Sequence, residues 1–158
     1  MESNELYKIL GRITYSFSRI DFLISHFAKD LGIVKNPFDF YARNNFAKKI
    51  VSLQSKAFKI QNDILRQEFI EWLNELDSLR QERNIIVHSI ILTNSTDSDE
   101  HRLFNYRKSG EKTIREIHEY TTKDLRLIDQ NLIDSHNKGY NLLEKLENRN
   151  NDSMSSQR

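Results

Sequence analysis

Eight large apolar residues, Leu6, Leu10, Ile13, Phe17, Ile20, Ile24, Phe27 and Leu31, recur at steps of three or four with no proline among them. That spacing puts all of them on one stripe of an α-helix. A chain that opens this way must bury a helix of over six turns against partner elements, and Gly32 is its expected C-terminal stop. The 158 residues hold one proline and four glycines, so little else interrupts helical structure. Asn36-Pro37 reads as a cap with a first-turn proline, and Phe46, Ile50, Leu53 and Ala57 continue a helical spacing behind it. A third helix is expected from Asn62 or Asp63 through Leu65, Phe69, Trp72, Leu76 and Leu79.

After Ser89 the texture changes. "SIILTN", "HRLFNYRK" and "KTIREIHEY" read as strands of a small sheet, with Arg102, Phe104, Tyr106 and Lys108 alternating onto one face. That face is expected to pack on the helices, although its mixture of rings and cations is also what stacks RNA bases. Thr121 and Asp124 resemble a capping box for a last helix carrying Leu125, Ile128, Leu132, Leu143 and Leu146, with Gly139 as its weak point. The fold class is therefore mainly all-α. It is a bundle of about four long helices with a β-hairpin or small sheet inserted after the third. Residues 1–147 form one domain, and the polar stretch 148–158 is expected to be a disordered tail.

Charge narrows the partners. With 24 Lys and Arg against 23 Asp and Glu, the chain lacks the overwhelming positive charge of a general nucleic-acid coat, so any such role must be local. The balance is segmented: residues 35–66 carry a net +5 and residues 67–100 a net −6. Cysteine is absent, which excludes disulfides and thiolate metal sites. No apolar run is long enough to span a bilayer, and "MESNELYK" lacks the layout of a signal peptide. A cytoplasmic location is expected.

The third helix ends on "RQERNIIVHSIILT", residues 80–93. On a wheel of about 100° per residue, Arg83 falls within the apolar arc of Leu65, Phe69, Trp72, Leu76, Leu79 and Val87. Asn84 and His88 stack one turn apart on the flank of that arc, with Arg80 one turn before Asn84. A cation on a core-facing stripe is costly unless it is paired or opens to a cleft, and such breaches of local pattern mark sites. The plainer reading pairs Arg83 with Asp21 or Glu82 as a structural ion.

The six residues "RNIIVH", Arg83-Asn84-x-x-x-His88, resemble the Arg, four to six residues, His signature of the HEPN superfamily. The bundle over roughly residues 3–147 is similar to its small helical domains. The resemblance implies a metal-independent endoribonuclease that uses the 2′-hydroxyl of single-stranded RNA as nucleophile and leaves a 2′,3′-cyclic phosphate. It implies that His88 is the acid or base and that Arg83 stabilises charge on the phosphate. Asn84, Arg80 and Asp21 are the expected substrate-binding set, with no cofactor and no metal. It further implies a homodimer in which two motifs form one cleft. The role would be that of a toxin or phage-defence effector, with an antitoxin protein or a regulatory RNA as possible regulator. Ile90 stands where one toxin subclass carries a modifiable Tyr two residues after the His. The alternative is a non-catalytic HEPN module binding nucleotide, RNA or protein through the same residues. His101, His118 and His136 have no metal-like spacing and are expected at the surface.

Overall fold

The computed structural model describes residues 3–43, 45–93 and 99–155. Its elements are α1 (Ser3–Asp30), α2 (Pro37–Tyr41), α3 (Phe46–Gln54), a 3-10 turn (Ala57–Lys59), α4 (Asp63–Val87), β1 (Ile90–Thr93), β2 (Glu100–Ser109), β3 (Lys112–Thr121) and α5 (Thr122–Ser155). The mainly helical class and the small sheet agree with the sequence reading. Long helices number three rather than about four among the described residues. The segment expected as one helix from Pro37 to Ala57 breaks after Tyr41 and restarts at Phe46. Asn45, at the restart, has φ 75° and caps α3 by accepting a hydrogen bond from the Lys48 amide at 3.2 Å. Asparagine is one of the few residues that enters the left-handed region readily.

Other helix ends follow their local chemistry. Asn36 and Asn62 accept hydrogen bonds from the amides of Phe38 and Leu65. Gly32, at φ 65°, turns the chain out of α1, and the Lys59 ammonium donates to the Leu31 carbonyl at 2.7 Å. At the start of α5, Asp124 accepts from the Thr121 amide and hydroxyl while its own amide donates to Thr121 Oγ1. α5 then continues to Ser155. Residues 148–155, expected as part of a disordered tail, extend the helix, and 156–158 lie outside the described residues.

The core lies where α1, α4 and α5 meet. Ile13, Ile20, Ile24 and Phe27 of α1 close against Phe69, Trp72, Leu73 and Leu76 of α4 and against Leu125 and Leu132 of α5. The rings of Phe27 and Trp72 are 5.3 Å apart, and Phe27 and Phe69 4.8 Å. No helix among the described residues is long and apolar enough to cross a membrane.

Gly139 is where α5 admits this cluster. Trp72 is fully buried and its indole N–H donates to the Ser135 carbonyl at 2.9 Å. A Cβ at Gly139 would lie 2.2 Å from Trp72 Cζ2. Alanine is the better helix former by about 1 kcal/mol, yet here it would drive α5 off the indole, at about 1 to 3 kcal/mol for overpacking. Gly139→Ala is therefore expected to lower stability by up to about 2 kcal/mol in urea unfolding, where propensity alone would raise it.

The sheet is antiparallel in the order β1-β2-β3, with Ile90 opposite Phe104 and Phe104 opposite Ile117. Its inner face seats Leu103 and His101 on the bundle. Arg102, Phe104, Tyr106 and Lys108 lie on the other face and point outward, the reverse of the packing expected for them. β-alternation fixed which residues share a face but not which face is covered.

Candidate functional site

Residues from three helices converge at the C-terminal end of α4. Arg83 lies eleven residues after Trp72, which at about 100° per residue returns it to within about 20° of the same side of the helix. Trp72 packs there on the core; Arg83, three turns on, reaches α1 at Phe17. Its guanidinium lies 5.1 Å from the centroid of the Phe17 ring, and Phe17 in turn contacts Phe46 of α3 at 4.6 Å. Arg83 Nη1 donates to Asn84 Oδ1 at 3.1 Å, and its buried Nε has no partner among the described residues.

These side chains border a cleft of about 420 Å³ lined by Phe17, Asn45, Phe46, Ala47, Arg80, Arg83, Asn84 and His88. No carboxylate is among them. Arg80 donates through Nε to Asp77 at 2.8 Å, one turn back on α4. His88 ends the helix, its amide donating to the Asn84 carbonyl at 3.1 Å, and its imidazole is exposed. Asn84 therefore orients Arg83 with its side chain and His88 only through its backbone. The first turn of α3 opens on the same cleft; Asn45 takes the Lys48 and Lys49 amides, while those of Phe46 and Ala47 have no intrahelical acceptor, which favours an anion.

Asp21 sits elsewhere. Its carboxylate accepts from the Lys49 ammonium at 2.7 Å, and Lys49, only 3% exposed, also donates to the Tyr41 carbonyl at 2.8 Å. Asp21 does not line the cleft. Burial raises its carboxyl above the ordinary aspartate range, against the pull of Lys49 and the weaker one of Arg83. Burial likewise lowers the Arg83 guanidinium while Asp21 opposes the shift, and arginine starts so high that it stays a cation. Because Lys49 takes Asp21, Arg83 makes no ion pair with Asp21, Glu82 or any other described residue, so its charge remains available in the cleft.

The four motif-region residues Arg80, Arg83, Asn84 and His88 thus come together, and Asp21 acts on them only at a distance. Phe17, Asn45, Phe46 and Ala47 were not foreseen as lining. An asparagine ahead of the apolar series from Phe46 was a readable cap signal, but nothing local said that this cap would face α4. The other histidines lie apart. His101 is buried to 1% exposure, not at the surface as expected, with Nε2 3.0 Å from Thr122 Oγ1, and burial lowers its pKa. His118 is half-buried on the inner sheet face, 3.9 Å from Glu116. His136 is half-buried and borders a groove between α1 and α5, where burial and then Arg19 lower its pKa.

Comparison with protein-family models, with curated proteins and with solved structures finds no match for this chain.

Removing one member of a buried pair strands the other charge. Lys49→Met should cost about 2 kcal/mol at neutral pH, a figure held down by the partial exposure of Asp21. A carboxyl whose folded pKa is raised destabilises as pH rises through that pKa. The deficit of the variant should therefore narrow as pH falls through the elevated range and Asp21 takes up a proton, as measured by denaturant melts between pH 4 and 8.

Proposed function

We propose that the chain is an RNA-cutting effector of HEPN type, an endoribonuclease that cleaves single-stranded RNA through the RNA's own 2′-hydroxyl. The observation that carries this reading is the half-buried Arg83, free of any carboxylate partner among the described residues, in a cleft whose lining holds no carboxylate, with Arg80, Asn84 and the exposed His88. A phosphodiester is the substrate group such a cleft suits. Arg83, held beside the Phe17 ring and steered by Asn84, offers its fork to the non-bridging oxygens, and the first-turn amides of Phe46 and Ala47 add positive potential.

In the reaction the 2′-oxygen attacks phosphorus and the bond to the 5′-oxygen breaks. The 2′-hydroxyl proton passes to a base, and a proton is delivered to the departing 5′-oxygen. Histidine titrates near neutrality when unperturbed and serves either role. One cleft holds one imidazole, so the second proton carrier is His88 of a second copy in a symmetric dimer, the commonest closed assembly. His88 lines the cleft and, like its neighbour Val87, is exposed, open to such a partner. Light scattering at micromolar concentration should give a dimer; a monomer with full activity would remove the second imidazole from the mechanism.

The purified protein should cut single-stranded RNA in EDTA, leave 2′,3′-cyclic phosphate ends, and spare DNA of the same sequence, which lacks the nucleophile. His88→Ala and Arg83→Ala should each slow cleavage by about two orders of magnitude or more with unchanged circular dichroism. Arg83→Lys should recover only part of the rate, because an ammonium lacks the planar fork. Absence of RNA cleavage, with or without divalent metal, would refute the reaction. Growth arrest on expression that survives His88→Ala would refute the effector role.

A further inference from the structure

The outer face of the sheet is left uncovered by the bundle. At its centre Phe104 of β2 stands between Ile90 of β1 and Ile117 of β3 in register, with Tyr106 next along the strand. Ile90, Ile117 and Tyr106 are 59%, 47% and 52% exposed. Cations surround these apolar groups. The Arg115 guanidinium lies 5.8 Å from the Phe104 ring centroid, and Lys108 continues the row beyond Tyr106. Arg102 is neutralised by Glu119 at 3.1 Å, whereas Arg115 and Lys108 make no ion pair among the described residues.

We infer that this face is a docking platform for single-stranded RNA, a second contact for the strand being cut at Arg83 and His88. The inference rests on the ribonuclease reading for the identity of the strand, but its chemistry is its own. A protein seated on the apolar centre would bury Lys108 and Arg115 at its edge and would have to supply paired carboxylates. A single strand satisfies both features together: bases lie on Phe104 and Tyr106, and phosphates meet the two uncompensated cations. Duplex RNA does not fit, since its bases are already stacked on one another. The position also suits a substrate contact. β1 begins at Ile90, two residues past His88, so the platform starts within about 7 Å of chain from the cleft.

The test uses the full chain and a fluorescent 12-nucleotide RNA carrying 2′-O-methyl groups, which cannot be cut through the 2′-hydroxyl, with affinity read by anisotropy. Phe104→Ala with Tyr106→Ala should weaken binding at least tenfold, given about fivefold or more per lost base stack. Because Phe104 is partly buried, Lys108→Gln with Arg115→Gln, both at exposed positions, provides a second arm. It should lower the slope of log affinity against log salt by about 1.4, the share of two phosphate contacts on a single strand. Cleavage of a dinucleotide, whose single phosphate sits in the cleft and leaves none for Lys108 and Arg115, should stay within twofold in both variants. Affinity changed less than twofold with an intact salt slope overturns the inference. So does a shift in oligomeric state without loss of affinity, which would make the face a protein contact, and so does a wild type that binds no 12-mer at micromolar concentration. A wild type that binds the 12-mer through this face but cuts no RNA would overturn the catalytic reading alone.

Discussion

The seat of Trp72 on Gly139 fixes how α4 is turned. A helix packed only through similar aliphatic residues can rotate or slide with modest loss, but an indole that occupies the space of a missing Cβ and donates to Ser135 admits one orientation. Everything further along α4 inherits that angle. Arg83 returns to the Trp72 side near the C-terminal end, where its guanidinium lies beside Phe17, itself in contact with Phe46. The same rigid element thus buries its middle as core and exposes its end as chemistry.

A second constraint is electrostatic. Two cations and one anion act on one another between α1, α3 and α4: Lys49 and Asp21 in contact, and Arg83 at a distance. Lys49 is the more buried cation and holds Asp21 directly, which leaves Arg83 charged, desolvated on one side and unpaired. Had Asp21 reached Arg83 instead, the motif arginine would be a structural ion and the cleft nearly neutral. The break of the helix after Tyr41 completes the arrangement. The Tyr41 carbonyl is released to accept from Lys49, and the new start of α3 is brought to the cleft.

Much of this was legible in the residues. The periods of α1 and α4, the caps at Asn36, Asn62 and Thr121, the strands after Ser89 and the placement of Arg83 inside an apolar arc all follow from local rules. What escaped was set by neighbours distant in sequence. The apolar spacing from Phe46 looks the same whether or not the chain breaks before it, and the left-handed Asn45 leaves no mark in composition. Alternation told that Phe104 and Tyr106 share a side, yet only the seat of Leu103 and His101 on the bundle decides that this side faces water. Gly139 reads as a flaw in α5 until Trp72, contributed by another helix, is set against it. Asp21 was drawn to Arg83 by charge alone, because the competing Lys49 becomes visible only when α3 is docked.

The left-handed backbone at Asn45 bears on how sequences can drift around this cleft. Two demands meet at one position: a conformation that most side chains resist, and an oxygen that must reach the Lys48 amide. Glycine meets the first and not the second; serine and threonine the second but not the first; asparagine and aspartate meet both. Aspartate, however, would set a negative charge on the rim opposite Arg80 and Arg83. A lineage that keeps the cleft for anions is thus confined at this site to asparagine. Replacement by aspartate would be the quietest way, in backbone terms, to give an acid to a cleft whose lining has none.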